Sequence, residues 1–296
     1  RAIEAVEMGY CNVVIVSYGS NQRSAKTRKI GGVIEDHTPQ KYFEYSQGIL
    51  SPLSLYALVA QRAFHEWDIN SEDLAEIAVS ARKYSLLNEK AFNYGKNELT
   101  VDDVLNSGII SSPLHKLDCC LVTDGGGAVL ITNNKIAKSL GLPKIKVKGF
   151  GQLDTHISYS QMPNYLITGA EQSSKNALSQ SKMLLDDIDI FQVYDSFTIT
   201  VLSTLASIGM DQPKNIIEKF KTGHYSLNGQ QPINTSGGGL SYCHPGMLGL
   251  LLVIEAVKQL SGELDNRQVE NASTALVHGT GGVFSTHATM ILERIG

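Results

Sequence analysis

Asn234-Thr-Ser-Gly-Gly-Gly-Leu-Ser-Tyr-Cys-His-Pro-Gly-Met-Leu-Gly249 carries more of the reading than any other stretch of the chain. It sets an asparagine, three consecutive glycines and a His-Pro pair directly ahead of an apolar run from Leu250 to Leu260. Glycine has no Cβ and takes positive φ at little cost, so backbone of this kind can approach a ligand closely. The apolar run predicts a helix over Leu248 to Leu260. His244, at its mouth, would sit where unsatisfied N–H groups and partial positive charge collect.

Outward from this loop, strand and helix patterns alternate. Residues 144–150, 189–194, 274–278 and 288–292 read as strands, and Glu171 to Lys182 and Phe197 to Ile208 as helices. Alternation of this kind predicts a mostly parallel α/β sheet with functional loops at its strand ends. Further upstream, Arg1 to Met8 reads as a helix closed by Gly9, and Cys11 to Ser17 as a buried strand. Region 20–115 lacks regular alternation but holds helical patterns at Ser54 to Trp67, Leu74 to Leu87 and Val101 to Leu105. Leu121 to Ile131 reads as an apolar strand pair broken by glycines. Its residues Leu121, Val122, Gly126 and Gly127 reappear 155 positions later as Leu276, Val277, Gly281 and Gly282. That spacing predicts two duplicated halves, 1–143 and 144–296.

Composition narrows the function classes. At 296 residues, 42% hydrophobic and 18% charged, the chain can bury a sizeable core as one large domain or two moderate ones. A net charge of −4 argues against a nucleic-acid or polybasic membrane role. No apolar run reaches the roughly 20 residues of a membrane span, and no signal peptide is present. The four cysteines (Cys11, Cys119, Cys120, Cys243) lack CxxC spacing, so neither a disulfide framework nor a metal site is expected. The cytoplasm is the expected location. The chain opens with Arg1 inside a helical pattern, which reads as an absent N-terminal segment. The basic stretch with Arg23, Ser24, Arg28 and Lys29 is either a solvated loop or a cover for a phosphate.

The order Asn234…Gly-Gly-Leu…His244-Pro…Gly resembles the histidine loop of the thiolase superfamily, with Cys243 where the family usually has glycine. Two further loops match. Val193-Tyr-Asp-Ser-Phe-Thr198 is similar to the loop that carries a His-Asp-Cys-Phe sequence in sterol-carrier-type thiolases, with Tyr194 at the histidine and Ser196 at the cysteine. His278-Gly-Thr-Gly-Gly282 resembles the third loop without its cysteine. Ala81 to Asn88, Ser112 to Cys119 and Arg267-Gln-Val269 bring the chain closest to the lipid-transfer-protein-like group. The resemblance implies a thiolase-like fold: two related α/β halves, each with a mixed five-stranded sheet, in αβαβα layers, assembled as a homodimer. It implies an acyl-CoA substrate, with coenzyme A part of the substrate and no other cofactor. It also implies a possible small partner with an OB-fold and zinc ribbon.

The replaced cysteines direct the chemistry. A serine hydroxyl cannot replace a thiol that titrates near 8.5, whereas tyrosine, near 10, can carry a proton. Some members of the resembling group are aldolases, so the resemblance implies retro-aldol cleavage of a β-hydroxyacyl-CoA, and the lost cysteines place it ahead of Claisen chemistry. It needs a base for the β-hydroxyl and donors for the enolate. Tyr194 and Tyr242 are the candidates for the first task. For the second the candidates are His244 and the backbone N–H groups at Gly238 and Gly281. Gly281 and Gly282 would let the backbone approach the reacting atoms, and His278 is either a base beside the ligand or a strand-end histidine facing the sheet. Asn234, Asp195 and Ser196 are expected around the substrate, Asp195 orienting Tyr194 or His244 or capping the following helix. Two alternatives stand beside this reading: a non-catalytic acyl-CoA- or lipid-binding subunit, and an ordinary acetyl-CoA acetyltransferase seen as a fragment.

Overall fold

The structure, a computed structural model, describes residues 1–27, 42–49, 51–141 and 144–295. Arg28 and Lys29 of the basic stretch lie outside the described residues, as do positions 142–143 at the expected boundary between halves.

The larger sheet has four strands in the order β5 (Lys144–Asp154), β8 (Thr286–Ile295), β7 (Thr274–Gly281), β6 (Ile190–Val193). β6 and β7 are parallel and the other two pairings antiparallel. A fifth member is reduced to a single bridge between Phe191 and Ile233. The Phe191 N–H donates to Pro232 O (3.0 Å) and Phe191 O accepts from the Asn234 N–H (2.9 Å). Asn234 then turns left-handed (φ +53°), and its Oδ1 takes over the ladder by accepting from the Val193 N–H at 2.8 Å. The expected fifth strand thus becomes the entry to the glycine loop.

The faces of this sheet follow the period of two. Ile190, Ala275, Val277 and Leu292 pack with α9 (Gly249–Ser261), while Phe191, Val193, Leu276 and Ile291 join the main core on the other face. That core holds α2 (Pro52–Trp67), α3 (Ser71–Leu86), α6 (Ala170–Ser181) and α7 (Thr198–Ile208). α7 is buried on nearly every side, including its threonines and serines. α3 starts on a capping box in which Asn70 and Asp73 bond each other's backbone N–H. Close approach of α6 to β5 depends on Gly149 and Gly151, where an added Cβ would lie 2.1 Å from Ala177 O and Ser173 O respectively.

α9 also packs on β4 (Gly125–Thr132), which pairs antiparallel with β1 (Val13–Ser20). The order helices, sheet, α9, second sheet is the layered arrangement expected. One expectation fails locally. Leu121 to Asp124 do not enter a strand, so the stretch to Ile131 is a single strand, β4, and not a strand pair. Leu121 and Val122 consequently differ in conformation from Leu276 and Val277, which lie within β7. The backbone of 119–124 is used elsewhere, between the two site loops.

Candidate functional site

Tyr194 follows the last residue of β6, and its N–H donates to His278 O at the adjoining position of β7 (3.0 Å). Strand parity sends its side chain to the α9 face, where it packs half-buried. There its hydroxyl meets His244 Nε2 at 2.8 Å, with the rings edge to face.

His244 and Pro245 are held through their own backbone from three directions. Thr123 Oγ1 accepts from the His244 N–H (3.0 Å), and the Thr123 N–H returns a bond to His244 O (3.3 Å). Gln22 Nε2 donates to the same carbonyl (3.2 Å), and Tyr18 donates its hydroxyl proton to Pro245 O (2.7 Å). The strap before β4 also bonds both loops: the Cys120 N–H donates to Ser196 O and the Leu121 N–H to Gly239 O, both at 2.9 Å. This is where the strand expected at Leu121 went. Cys243 belongs to the same packing. Its thiol lies 3.2 Å from Thr123 Oγ1, and burial pushes its pKa up, which favours a neutral thiol.

Asp195 departs from its expected cap. The N-cap position of α7 is Phe197, without a side-chain bond. Instead the fully buried Asp195 carboxylate accepts the Gly239 N–H on Oδ1 (2.7 Å) and the Leu240 N–H on Oδ2 (3.1 Å). It thereby fixes the π turn Gly238–Tyr242, which delivers His244. Burial pushes its pKa up to about 7 against the pull of these N–H groups. Gly238 (φ +59°) leaves no room for a Cβ, which would fall 2.1 Å from Asp195 Oδ2. Its N–H donates to Ser236 Oγ (3.2 Å).

His278 lies apart from Tyr194 and His244. It points to the opposite face of the sheet, because side chains alternate along β7. Fully buried, its Nδ1 is 2.8 Å from Thr289 Oγ1 and its Nε2 3.3 Å from His287 Nδ1, while His287 Nε2 is 2.8 Å from Phe284 O. A carbonyl can only accept, so protons run one way along this chain: His287 to Phe284, His278 to His287, Thr289 to His278. Both imidazoles are then neutral. Burial, reinforced by the second imidazole, brings His278 down to about 3, and burial brings His287 to about 4.

A histidine neutral in the fold binds its proton only on unfolding, so stability is full above about 6.5 and is lost as pH falls toward 4. Each contributes about 1.4 kcal/mol per pH unit across that window. Raised Asp195 works in the opposite sense, losing stability as pH rises from about 4 to 7. Chemical unfolding of His287→Gln between pH 6.5 and 4.5 should therefore show a shallower acid loss than the parent, by about 1.4 kcal/mol per unit. An unchanged slope would contradict a neutral buried His287.

The remaining expected residues are distributed around the loops. Gly281 closes β7 opposite Thr286, and Gly282 (φ +60°) starts the turn into β8. Ser196 lies 3.0 Å from Thr200 Oγ1. Tyr242 packs half-buried against the α9 cluster, and burial first, then Cys243 and Glu255, raise its pKa. Several supporting residues were not singled out from sequence. Tyr56, buried with its pKa pushed up to about 12, joins Ser196 and Gly282 O and so couples the second loop to the third. Under the glycine loop, Glu255 pairs with Arg267, accepts from Thr235 Oγ1 (2.7 Å), and Thr235 Oγ1 accepts from Gln192 Nε2 (2.9 Å). A carboxylate on the apolar face of α9 was the available signal for this network.

Comparison with known proteins identifies the family. The family model described as Thiolase C-terminal domain-like matches residues 151–294. Acetyl-CoA acetyltransferase of Methanothermobacter thermautotrophicus is 30% identical over 99% of this chain and 75% of its own length. A steroid side-chain-cleaving aldolase of Thermomonospora curvata is 30% identical over 95% of this chain and 74% of its own. The solved Ltp2-ChsH2(DUF35) aldolase superposes with a TM-score of 0.86 at 27% identity, covering 98% of this chain and 75% of that one. With its fold, its three loops and these relatives, the chain belongs to the thiolase superfamily, in its lipid-transfer-protein-like branch.

Proposed function

We propose that this protein is an acyl-CoA aldolase that cleaves a β-hydroxyacyl-CoA into a carbonyl compound and a shorter acyl-CoA. The observation that carries the reading is the 2.8 Å contact between Tyr194 Oη and His244 Nε2. Tyr194 takes the proton of the β-hydroxyl as its own proton passes to His244. The relay spares the cost of a free phenolate, whose parent phenol titrates near 10. The Cα–Cβ bond breaks, its electron pair becomes the thioester enolate, and the new C=O leaves with the carbonyl product. The imidazolium formed at His244 places positive charge at the site as the enolate develops, and the proton then returns to Cα. No acyl-enzyme is needed, which suits a site where Ser196 stands in place of the cysteine of the resembling loop and Cys243 is a buried, hydrogen-bonded thiol. Two aldolases among the similar proteins support the same reaction class.

The same reading includes a homodimer, a small OB-fold partner and a cytoplasmic location. Among the described residues β1 pairs only with β4, and Ile15 is 68% exposed, which supports the first. The similar aldolase that carries a second named component supports the next. None of the four cysteines forms a disulfide, in keeping with a reducing compartment. Among the described residues no helix is long and apolar enough to cross a membrane. Two halves meeting near residue 143 are supported by the separation of the β1–β4 sheet from the larger one.

The test is mass spectrometry of products from a panel of β-hydroxyacyl-CoA and β-ketoacyl-CoA thioesters. Carbonyl product and shorter acyl-CoA from the hydroxyacyl members are expected. Thiolysis of the ketoacyl members alone, or binding without turnover, would overturn the reading in favour of a thiolase or a carrier.

A further inference from the structure

A cavity of about 210 Å³ lies against the third loop. Gly282 and Val283 form one wall, the first turns of α2 a second, and Glu44 with Ser158 and Tyr159 a third. Gly282 is left-handed (φ +60°) and puts no side chain into it. Only one side chain separates this wall from the loop of Tyr194. The hydroxyl of Tyr56, on α2, donates to Gly282 O (3.3 Å) and also reaches the side chain of Ser196. Two polar groups of the cavity are buried and unspent. Ser158 is 1% exposed, yet among the described residues its hydroxyl has no hydrogen-bond partner. A buried hydroxyl in that state costs stability until a partner meets it. Glu44 is 4% exposed, and its Oε1 accepts the Ser160 N–H (2.9 Å), which sets its carboxylate beside Ser158. Among the described residues its Oε2 makes no hydrogen bond. Tyr159 next to them stays a neutral phenol, because burial first, and then Tyr165 and Glu44, raise its pKa.

We infer that this cavity holds the acyl tail of the substrate, and that Glu44 and Ser158 select a compact tail bearing a hydroxyl group. A carboxylate only accepts, whereas a serine hydroxyl donates and accepts. A hydroxyl on the tail can therefore give its proton to Glu44 Oε2 and take one from Ser158 Oγ. A purely aliphatic tail would leave both groups unpaired, and a tail ending in a carboxylate would meet Glu44 as a like charge. Volume sets the other limit. A cavity of about 150 Å³ holds benzene, so this one takes a six-membered ring with its substituent and not a four-ring nucleus. Pro52, Leu55 and Val283 supply apolar wall for such a ring. The position suits the chemistry, because the part of a β-hydroxyacyl-CoA beyond Cβ is the part that leaves as the carbonyl product. The inference rests on an acyl-CoA being the substrate, but not on the bond cleaved.

The experiment measures calorimetric binding of three thioesters that lack the β-hydroxyl needed for cleavage: 3-cyclohexylpropanoyl-CoA, its 4-hydroxycyclohexyl counterpart and a steroid-tailed acyl-CoA. The parent should bind the hydroxylated ring about tenfold or more tightly than the plain ring, as a hydroxyl bonded to a charged acceptor gives, and more tightly than the steroid. Glu44→Gln, which keeps an acceptor for the Ser160 N–H, and Ser158→Ala are measured separately. Each should bring the two ring esters to within about threefold of each other by weakening the hydroxylated one alone. Equal affinity of the parent for the two rings would overturn the inference, as would tightest binding of the steroid ester or an undiminished preference in both variants. Equal weakening of both ring esters would also overturn it, because the residues would then act through the fold. Failure of the parent to bind any of the three would overturn it together with the acyl-CoA reading. Turnover of the matching β-hydroxy esters is followed alongside, and selective binding with no cleavage of them would overturn the aldolase reading alone.

Discussion

Tyr194→Phe is expected to lower kcat by about a hundred- to ten-thousand-fold, the usual contribution of a positioned proton carrier, while acyl-CoA affinity stays within a few-fold. Phenylalanine keeps the ring, its packing beneath α9 and its edge-to-face contact with His244, and removes only the hydroxyl 2.8 Å from Nε2. The partner substitution His244→Gln should fall to a similar rate, and the double variant should be hardly slower than either single one, because two residues that pass one proton act as a unit. Steady-state kinetics with a cleavable β-hydroxyacyl-CoA reads all three. Losses that multiply in the double variant would mean that Tyr194 and His244 serve separate steps.

Arg267→Met carries the largest expected effect on stability. Arg267 and Glu255 form a buried ion pair beneath the glycine loop, and Arg267 also reaches Thr235 O at 3.5 Å. Removing the cation leaves Glu255 buried and uncompensated, at a cost of about 3–5 kcal/mol, or a fall in Tm on the order of 10 °C for a chain of this size. Replacing both partners by apolar residues, Arg267→Met with Glu255→Leu, should recover much of that loss, since the charge to be desolvated disappears with its partner. The double variant should nonetheless turn over slowly, because Thr235 loses its acceptor at the base of the loop that carries His244. Thermal unfolding beside kinetics separates the two effects. A single variant as stable as the parent would contradict the network.

The fold could be read from the chain where local pattern and packing agree. α9 is one apolar run ending at Gly262 and α7 another ending at Gly209, and both were visible as such. The loops around His244 and Tyr194 were visible too, because glycine runs and a His-Pro pair have few uses besides close backbone approach. What could not be read was which partner each polar group takes. Asp195 preceding a helix looks like a cap, yet tertiary structure turns it toward Gly239 and Leu240, 44 and 45 positions away. Leu121 to Asp124 look like a strand, but the Leu121 and Thr123 N–H groups go to Gly239 O and His244 O of the histidine loop. His278 sits in a loop motif, and only the register of β7 shows that it faces away from Tyr194.

The central claim is that a carbon–carbon bond breaks through an enolate without help from a second thiol. Incubating the protein with one β-hydroxyacyl-CoA in D2O, with no free CoA added, and weighing the shorter acyl-CoA tests it most directly. The account expects release of that thioester carrying one solvent deuteron at Cα per turnover, together with one carbonyl product. Product that forms only from a β-ketoacyl-CoA and only with added CoA, as two thioesters, would contradict it.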